Sequence, residues 1–249
     1  MLVRVLLVDI NPKMIKAWRE TFEEDTEVEV VQGSMLEQPV GAWVTPTNAR
    51  ASMDGGLDAA IKGYLGGKIE KAVQNEVKAR YGGHMPVGYA TCVESGRPQP
   101  RFLISTPTMV QSSEDVSSTM NVALACAAAF QAVHMQNAKL PGSIRSVAMP
   151  GLGANTGRVP VEICADLMWT AYNLFKEKEF TDFAEMRKSL EDILGDLGAF
   201  GSDMKSGKSA TKAKISAVAA PAPSMNDFDD SEDSAPVKKK PAVDFDDAE

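Results

Sequence analysis

Histidine and cysteine are scarce in this 249-residue chain, and long apolar runs are missing. The two histidines, His84 and His134, are fifty residues apart, which excludes a metal centre built from several imidazoles. No metal and no cofactor are therefore expected. Cys92, Cys126 and Cys164 are odd in number and widely spaced, each sits in an apolar run, and no C-x-x-C occurs. Such thiols read as buried and reduced, as in a cytoplasmic protein. No stretch reaches the ~18 apolar residues of a membrane span, and no basic segment precedes an apolar stretch of signal length. The expectation is a cytoplasmic protein without a membrane partner. A net charge of -8 argues against nucleic acid as a partner, since sequence-independent binders present a basic face to phosphate.

Two common phosphate motifs are also absent. The first apolar run ends in Ile10-Asn11-Pro12, with no G-x-G-x-x-G turn, and no G-x-x-x-x-G-K-[ST] occurs anywhere. The opening RVLLVDINP and the tripeptide Met53-Asp54-Gly55 look like a phospho-acceptor receiver. Ile10, however, stands where that chemistry needs a second acid, and Thr47 where it needs the acceptor, so the carboxylate cluster for Mg²⁺ is missing.

What remains is an ordinary globular composition, 44% hydrophobic and 24% charged. Residues 2–9 are almost continuously apolar, as in a strand buried on both faces. Asn11-Pro12 supplies an N-cap and a first-turn proline for a helix over 12–23. Strands are expected at 27–32, 41–46, 88–94, 101–106 and 143–149. Helices are expected after Gly56, over 68–81, over an Ala-rich 116–137, over 160–176 and over 182–194. This alternation predicts an α/β fold, a three-layer α/β/α sandwich with a mixed, about six-stranded sheet. Ligands in such folds sit at the C-terminal ends of the strands.

The domain is expected to occupy 1–198. Residues 199–249 hold seven Lys and ten Asp or Glu, with Ser, Ala and Pro between them. That is too little apolar surface to offset ordering entropy, so this tail is read as disordered. Asp227-Phe228-Asp229-Asp230 recurs as Asp244-Phe245-Asp246-Asp247. A ring within an acidic cluster suits a short docking motif for a protein partner; the plainer reading is a solubilising tail.

The stretch 43–67 carries the chemistry. A strand runs through Val44-Thr45-Pro46-Thr47-Asn48, and Met53-Asp54-Gly55-Gly56-Leu57-Asp58 then opens a helix. A second glycine loop, Pro150-Gly151-Leu152-Gly153-Ala154-Asn155-Thr156-Gly157-Arg158, follows the last strand. Glycines at 55, 56, 151, 153 and 157 let backbone N–H groups approach a diphosphate, and a helix N-terminus adds positive potential. These segments, with Pro107-Thr108-Met109 between them, resemble in kind and order the motifs of macro domains, in particular a bacterial and phage branch. The resemblance spans about 3–178. It implies a pocket for ADP-ribose or an ADP-ribosylated protein, lined by Ser34, Asn48, Asp54, Gly55, Gly56, Leu57, Gly151, Leu152, Gly153, Ala154, Asn155, Thr156, Gly157 and Arg158. It also implies ribose contacts from Asn48 and, by analogy with the family's hydrolases, activation of water by Asp58. The bland readings are a turn residue for Asn48 and a helix N-terminal charge for Asp58.

Three positions depart from the family pattern. Ser34 stands where binders carry the Asp that meets the adenine amine. Lys62 replaces a His four residues after Asp58 and is expected to pair with that carboxylate across one helix face. Ala154-Asn155-Thr156-Gly157 has one glycine fewer, with Asn155 a candidate for a left-handed turn. Two functions stay open: a hydrolase of ADP-ribosyl groups, and a non-catalytic reader or adaptor whose acidic tail docks a partner.

Overall fold

The computed structural model describes residues 3–201, with the side chains of 196–201 left aside. The tail beyond Gly201, with both phenylalanine motifs, lies outside the described residues. Six strands form one sheet: β1 (Arg4–Asp9), β2 (Val28–Gln32), β3 (Ala42–Asn48), β4 (Thr91–Glu94), β5 (Phe102–Met109) and β6 (Ser146–Met149). Their order is β2-β1-β6-β3-β5-β4. All pairings are parallel except β4 with β5, so the sheet is mixed, as the sequence predicts. The helices among the described residues are α1 (Pro12–Thr21), α2 (Gly56–Leu65), α3 (Lys68–Tyr81), α4 (Asn121–Lys139), α5 (Val161–Glu177) and α6 (Phe183–Gly201), with a 3-10 turn at Met35–Glu37.

The near-continuous hydrophobicity of β1 is explained by two cores. Val5 and Leu7 join the layer of α1, α4, α5 and α6, while Leu6 and Val8 face α2 and α3. The same division holds in β3, where Val44 takes the first side and Trp43 the second. The Ala-rich helix α4 is the most enclosed of the helices, with every residue from Val122 to Val133 buried. Its small side chains let it sit between β5 on one side and α5 and α6 on the other.

Helix ends follow local chemistry. Asn11 Oδ1 accepts the Lys13 N–H at 3.0 Å and so caps α1 ahead of Pro12. Helix α4 begins at Asn121 and not near 116, because Thr119 folds the chain before it. Its hydroxyl donates to the Val116 carbonyl at 2.8 Å and accepts the Asn121 N–H at 3.3 Å. Helix α6 continues to Gly201, past the 194 read from the apolar spacing. No helix among the described residues is long and apolar enough to cross a membrane.

Candidate functional site

The parallel strands β1, β6, β3 and β5 deliver their C-terminal ends to one edge, and a cleft of about 430 Å³ opens there. Three loops wall it. One follows β2 and carries Gly33, Ser34 and Leu36; one leads from β3 into α2; one follows β6 and runs from Pro150 to Gly157. Of the residues expected at a ligand, Ser34, Gly55, Gly56, Leu57, Asp58, Gly151, Gly153, Asn155, Thr156 and Gly157 line the cleft. Asn48, Asp54, Leu152, Ala154 and Arg158 do not.

Four of these exceptions, all but Ala154, have a local cause. Asn48 Oδ1 accepts the N–H groups of Arg50 and Ser52 at 3.0 and 3.2 Å, and its amide donates to Ser112 Oγ at 2.8 Å. It braces its own loop as a turn residue does. Arg158 turns away to Asp115, 3.3 Å distant and exposed. It also takes the left-handed backbone, at φ 59°, that the sequence suggests for Asn155; Gly153, at φ 70°, supplies the other. Leu152 is fully buried and packs in the core. The side chain of Asp54 points outward to Lys62.

The first glycine loop and the second use glycine differently. A side chain at Gly55 or Gly56 would meet nothing within 4 Å. Gly56 opens α2 at φ 55°, a conformation costly for any residue with a Cβ. In the second loop a Cβ at Gly157 would lie 2.7 Å from the Gly153 carbonyl and from Val116, and one at Gly151 would lie 3.0 Å from Asp9 Oδ2 and Met14 Sδ. Those two glycines serve packing within the protein. Gly55, the N-cap of α2, offers no side-chain cap, so the first N–H groups of the helix have no intrahelical partner, and Gly55, Gly56 and Leu57 line the cleft.

Asp58 sits one residue beyond Leu57 in this first turn. Thr45, a buried hydroxyl on β3, donates to its Oδ1. Burial pushes its carboxyl up to about 7; the Thr45 hydroxyl opposes the rise and the Asp54 charge adds to it. The expected pair with Lys62 does not form. Lys62 Nζ reaches Asp54 at 3.2 Å and Glu70 at 3.1 Å instead, because a second acid from α3 lies closer to the ammonium than the carboxylate one turn back. Asp58 is left with no cation among its bonds in the described residues, protonated in part near neutrality.

Asp9, which the sequence does not single out as a site residue, lines the cleft at the end of β1. Its Oδ1 accepts the Asn11 N–H at 2.9 Å and its Oδ2 the Gly151 N–H at 3.2 Å, which ties the second loop to β1. Ile10 beside it is 75% exposed and forms an apolar rim. The signal for both was their place just past an apolar strand. Ser34 Oγ accepts the Leu36 N–H at 3.2 Å, so its oxygen caps the 3-10 turn. Thr108 and Met109, part of the motif at 107–109, also face the cleft.

The family model for the macro domain matches residues 44–168, half of the chain and all of this site except the β1 and β2 loops. The chain belongs to the macro domain family. An uncharacterized protein of Aquifex aeolicus is 30% identical over 152 residues, which cover 61% of this chain and 84% of that relative. The macrodomain of Mycobacterium tuberculosis DarG is similar at 20% identity and a TM-score of 0.49, covering 59% of this chain and 90% of its own. Thermosipho africanus DarTG in complex with ADP-ribose is similar at 13% identity and a TM-score of 0.47, covering 62% of this chain and 46% of its own. In this macro domain the mixed sheet carries the cleft at its parallel centre, and the antiparallel strand β4 stays at the far edge.

Proposed function

We propose that this macro domain binds ADP-ribose, or the ADP-ribosyl group of a modified protein, in the cleft, and that Asp58 acts there as the general base of a hydrolysis. The observation that carries the reading is the start of α2. An uncapped helix N-terminus opens into the cleft, with free space over Gly55 and Gly56 and a cation-free carboxyl in its first turn. Such a terminus suits a diphosphate. The volume of about 430 Å³ lies within the range of about 300–1,000 Å³ usual for small-molecule sites. A carboxyl titrating near 7 suits proton transfer from water at neutral pH.

The roles divide accordingly. The amides of Gly55, Gly56 and Leu57 hold phosphate, Gly151 to Gly157 close the opposite wall, Ile10 and Leu36 offer apolar contact to a base, and Asp58 orients the water. Asn48 shapes the loop beneath. Calorimetric titration with ADP-ribose tests binding, and absence of heat at millimolar ligand would sink it. Incubation with a mono-ADP-ribosylated protein tests turnover. Asp58→Asn should slow release of the label by about 10²-fold or more while binding persists; release at the wild-type rate would remove Asp58 from the chemistry.

The repeated Asp-Phe-Asp-Asp of the tail favours a second reading, an adaptor in which the domain reads ADP-ribose and the tail docks a protein. Deleting 202–249 should leave the calorimetric affinity unchanged; a large loss would mean that domain and tail are not separate modules. The free thiols of Cys92, Cys126 and Cys164 suit a cytoplasmic setting for either.

A further inference from the structure

Lys62 and Glu70 stand outside the cleft, yet both hold the turn that forms its first wall. Glu70, on α3, uses both carboxylate oxygens. Oε1 accepts the Met53 N–H at 2.8 Å, and Oε2 accepts the Lys62 ammonium at 3.1 Å. Lys62, on α2, donates also to Asp54 Oδ1 at 3.2 Å. Two of these bonds end on Met53 and Asp54, the two residues just before Gly55 and Gly56, and the third ties Lys62 to Glu70. The Met53 side chain is fully buried and anchors the turn from below.

The glycines that follow cannot order themselves. They have no side chains and touch nothing within 4 Å at the Cβ position, and Gly55 gives α2 no cap. Glycine loses more conformational freedom on ordering than any other residue. A ligand that had to freeze this turn would bind more weakly than one that met it already fixed. Asp54 adds a second consideration, because its carboxylate is 77% exposed beside the helix N-terminus where an anion is to sit. The ammonium of Lys62 offsets that charge. Glu70, against part burial and with Asp54 assisting, raises the Lys62 proton affinity and keeps the ammonium charged.

We infer that Lys62 and Glu70 are positioning residues: a latch from α3 through α2 that preorganises the turn at 53–56 for a diphosphate that neither residue touches. The latch itself is a property of the ligand-free protein; only its effect on affinity rests on the proposed ADP-ribose reading.

Hydrogen exchange in the full ligand-free chain, followed by peptides over 53–58, decides the first part. Lys62→Met and Glu70→Met should each speed exchange there about fivefold or more, with α4 and α5 unchanged and Lys62→Arg close to wild type. Unchanged exchange over 53–58 in both Met variants overturns the latch. A rise spread over the whole chain also overturns it, since the pair would then serve general stability; the milder Lys62→Gln and Glu70→Gln, read in the same peptides, guard against simple misfolding. Titration with ADP-ribose decides the second part. The Met variants should bind about tenfold more weakly, and less than additively when combined, because they remove one shared unit. Wild-type affinity in a variant whose turn has loosened overturns the role in binding. If wild type itself takes up no ADP-ribose, the functional reading fails while the exchange result still decides the latch.

Discussion

Asp58→Asn should stabilise the protein at neutral and alkaline pH and leave it nearly unchanged in acid. The wild-type carboxyl rises from an ordinary 3.8 to about 7 on folding, chiefly through burial. The folded state therefore binds the proton more tightly than the unfolded chain. For a group raised in this way, the stability is fully present below about 4 and is lost as pH climbs through about 7. A rise from 3.8 to about 7, at about 1.4 kcal/mol for each tenfold in proton affinity, amounts to about 4 kcal/mol. Asp58 is only partly buried, and water reaching it trims that figure to about 2–4 kcal/mol. Asparagine keeps an oxygen for the Thr45 hydroxyl but carries no charge to desolvate. Urea denaturation of wild type and variant at pH 4.5, 6, 7 and 8.5 measures the difference directly. The gap should open between pH 4.5 and 7 and level off above 8. A gap of the same size at every pH would refute the claim that a partly buried carboxylate without a cation sits at this position.

Two further substitutions test the surroundings. Gly157→Ala places a methyl 2.7 Å from the Gly153 carbonyl and Val116, and should cost about 1–3 kcal/mol in urea denaturation; a neutral result would mean that the second loop is looser than its 3.0 Å bond from Val116 N–H to the Gly157 carbonyl implies. Asp54→Asn removes the charge that helps to raise Asp58, so the Asp58 carboxyl carbon, followed by NMR, should titrate at lower pH than in wild type. No change, or a shift upward, would contradict the coupling.

The sheet was legible because its signal is local. The apolar run 2–9 reads as a strand buried on both faces, and Asn11-Pro12 marks a helix start without reference to anything distant. The family motifs were legible for the same reason, since 44–58 and 150–158 are contiguous. What stayed hidden was partner choice. Lys62 has three acids in reach, Asp54, Asp58 and Glu70, and helical spacing favoured Asp58. Only the packing of α3 beside the turn brings Glu70 to the ammonium. Arg158 and Asn48 likewise have partners that their place in the sequence does not reveal. Their types suit phosphate and sugar, but the loop at 111–116 offers Asp115 and Ser112 as closer partners. That loop has no periodicity from which its place could be read.

Glycine itself was the most ambiguous signal, and the two loops show why. A glycine is required wherever a Cβ has no room, and the obstacle can be a ligand or the protein's own chain. At Gly151 and Gly157 the obstacle is the protein: Asp9 and Met14 at one, Gly153 and Val116 at the other. These positions would demand glycine in a macro domain that had lost its ligand. At Gly55 and Gly56 no protein atom stands within 4 Å. Backbone angle accounts for Gly56 at φ 55°, but Gly55 is extended, with φ -148° and ψ 158°, where any residue fits. Neither sterics nor backbone angle demands glycine there, and glycine is among the residues that serve a helix N-cap, the place Gly55 holds at the start of α2. The second loop thus requires glycine for its own packing, while the first requires it at Gly56 for backbone angle and leaves open space over both Gly55 and Gly56.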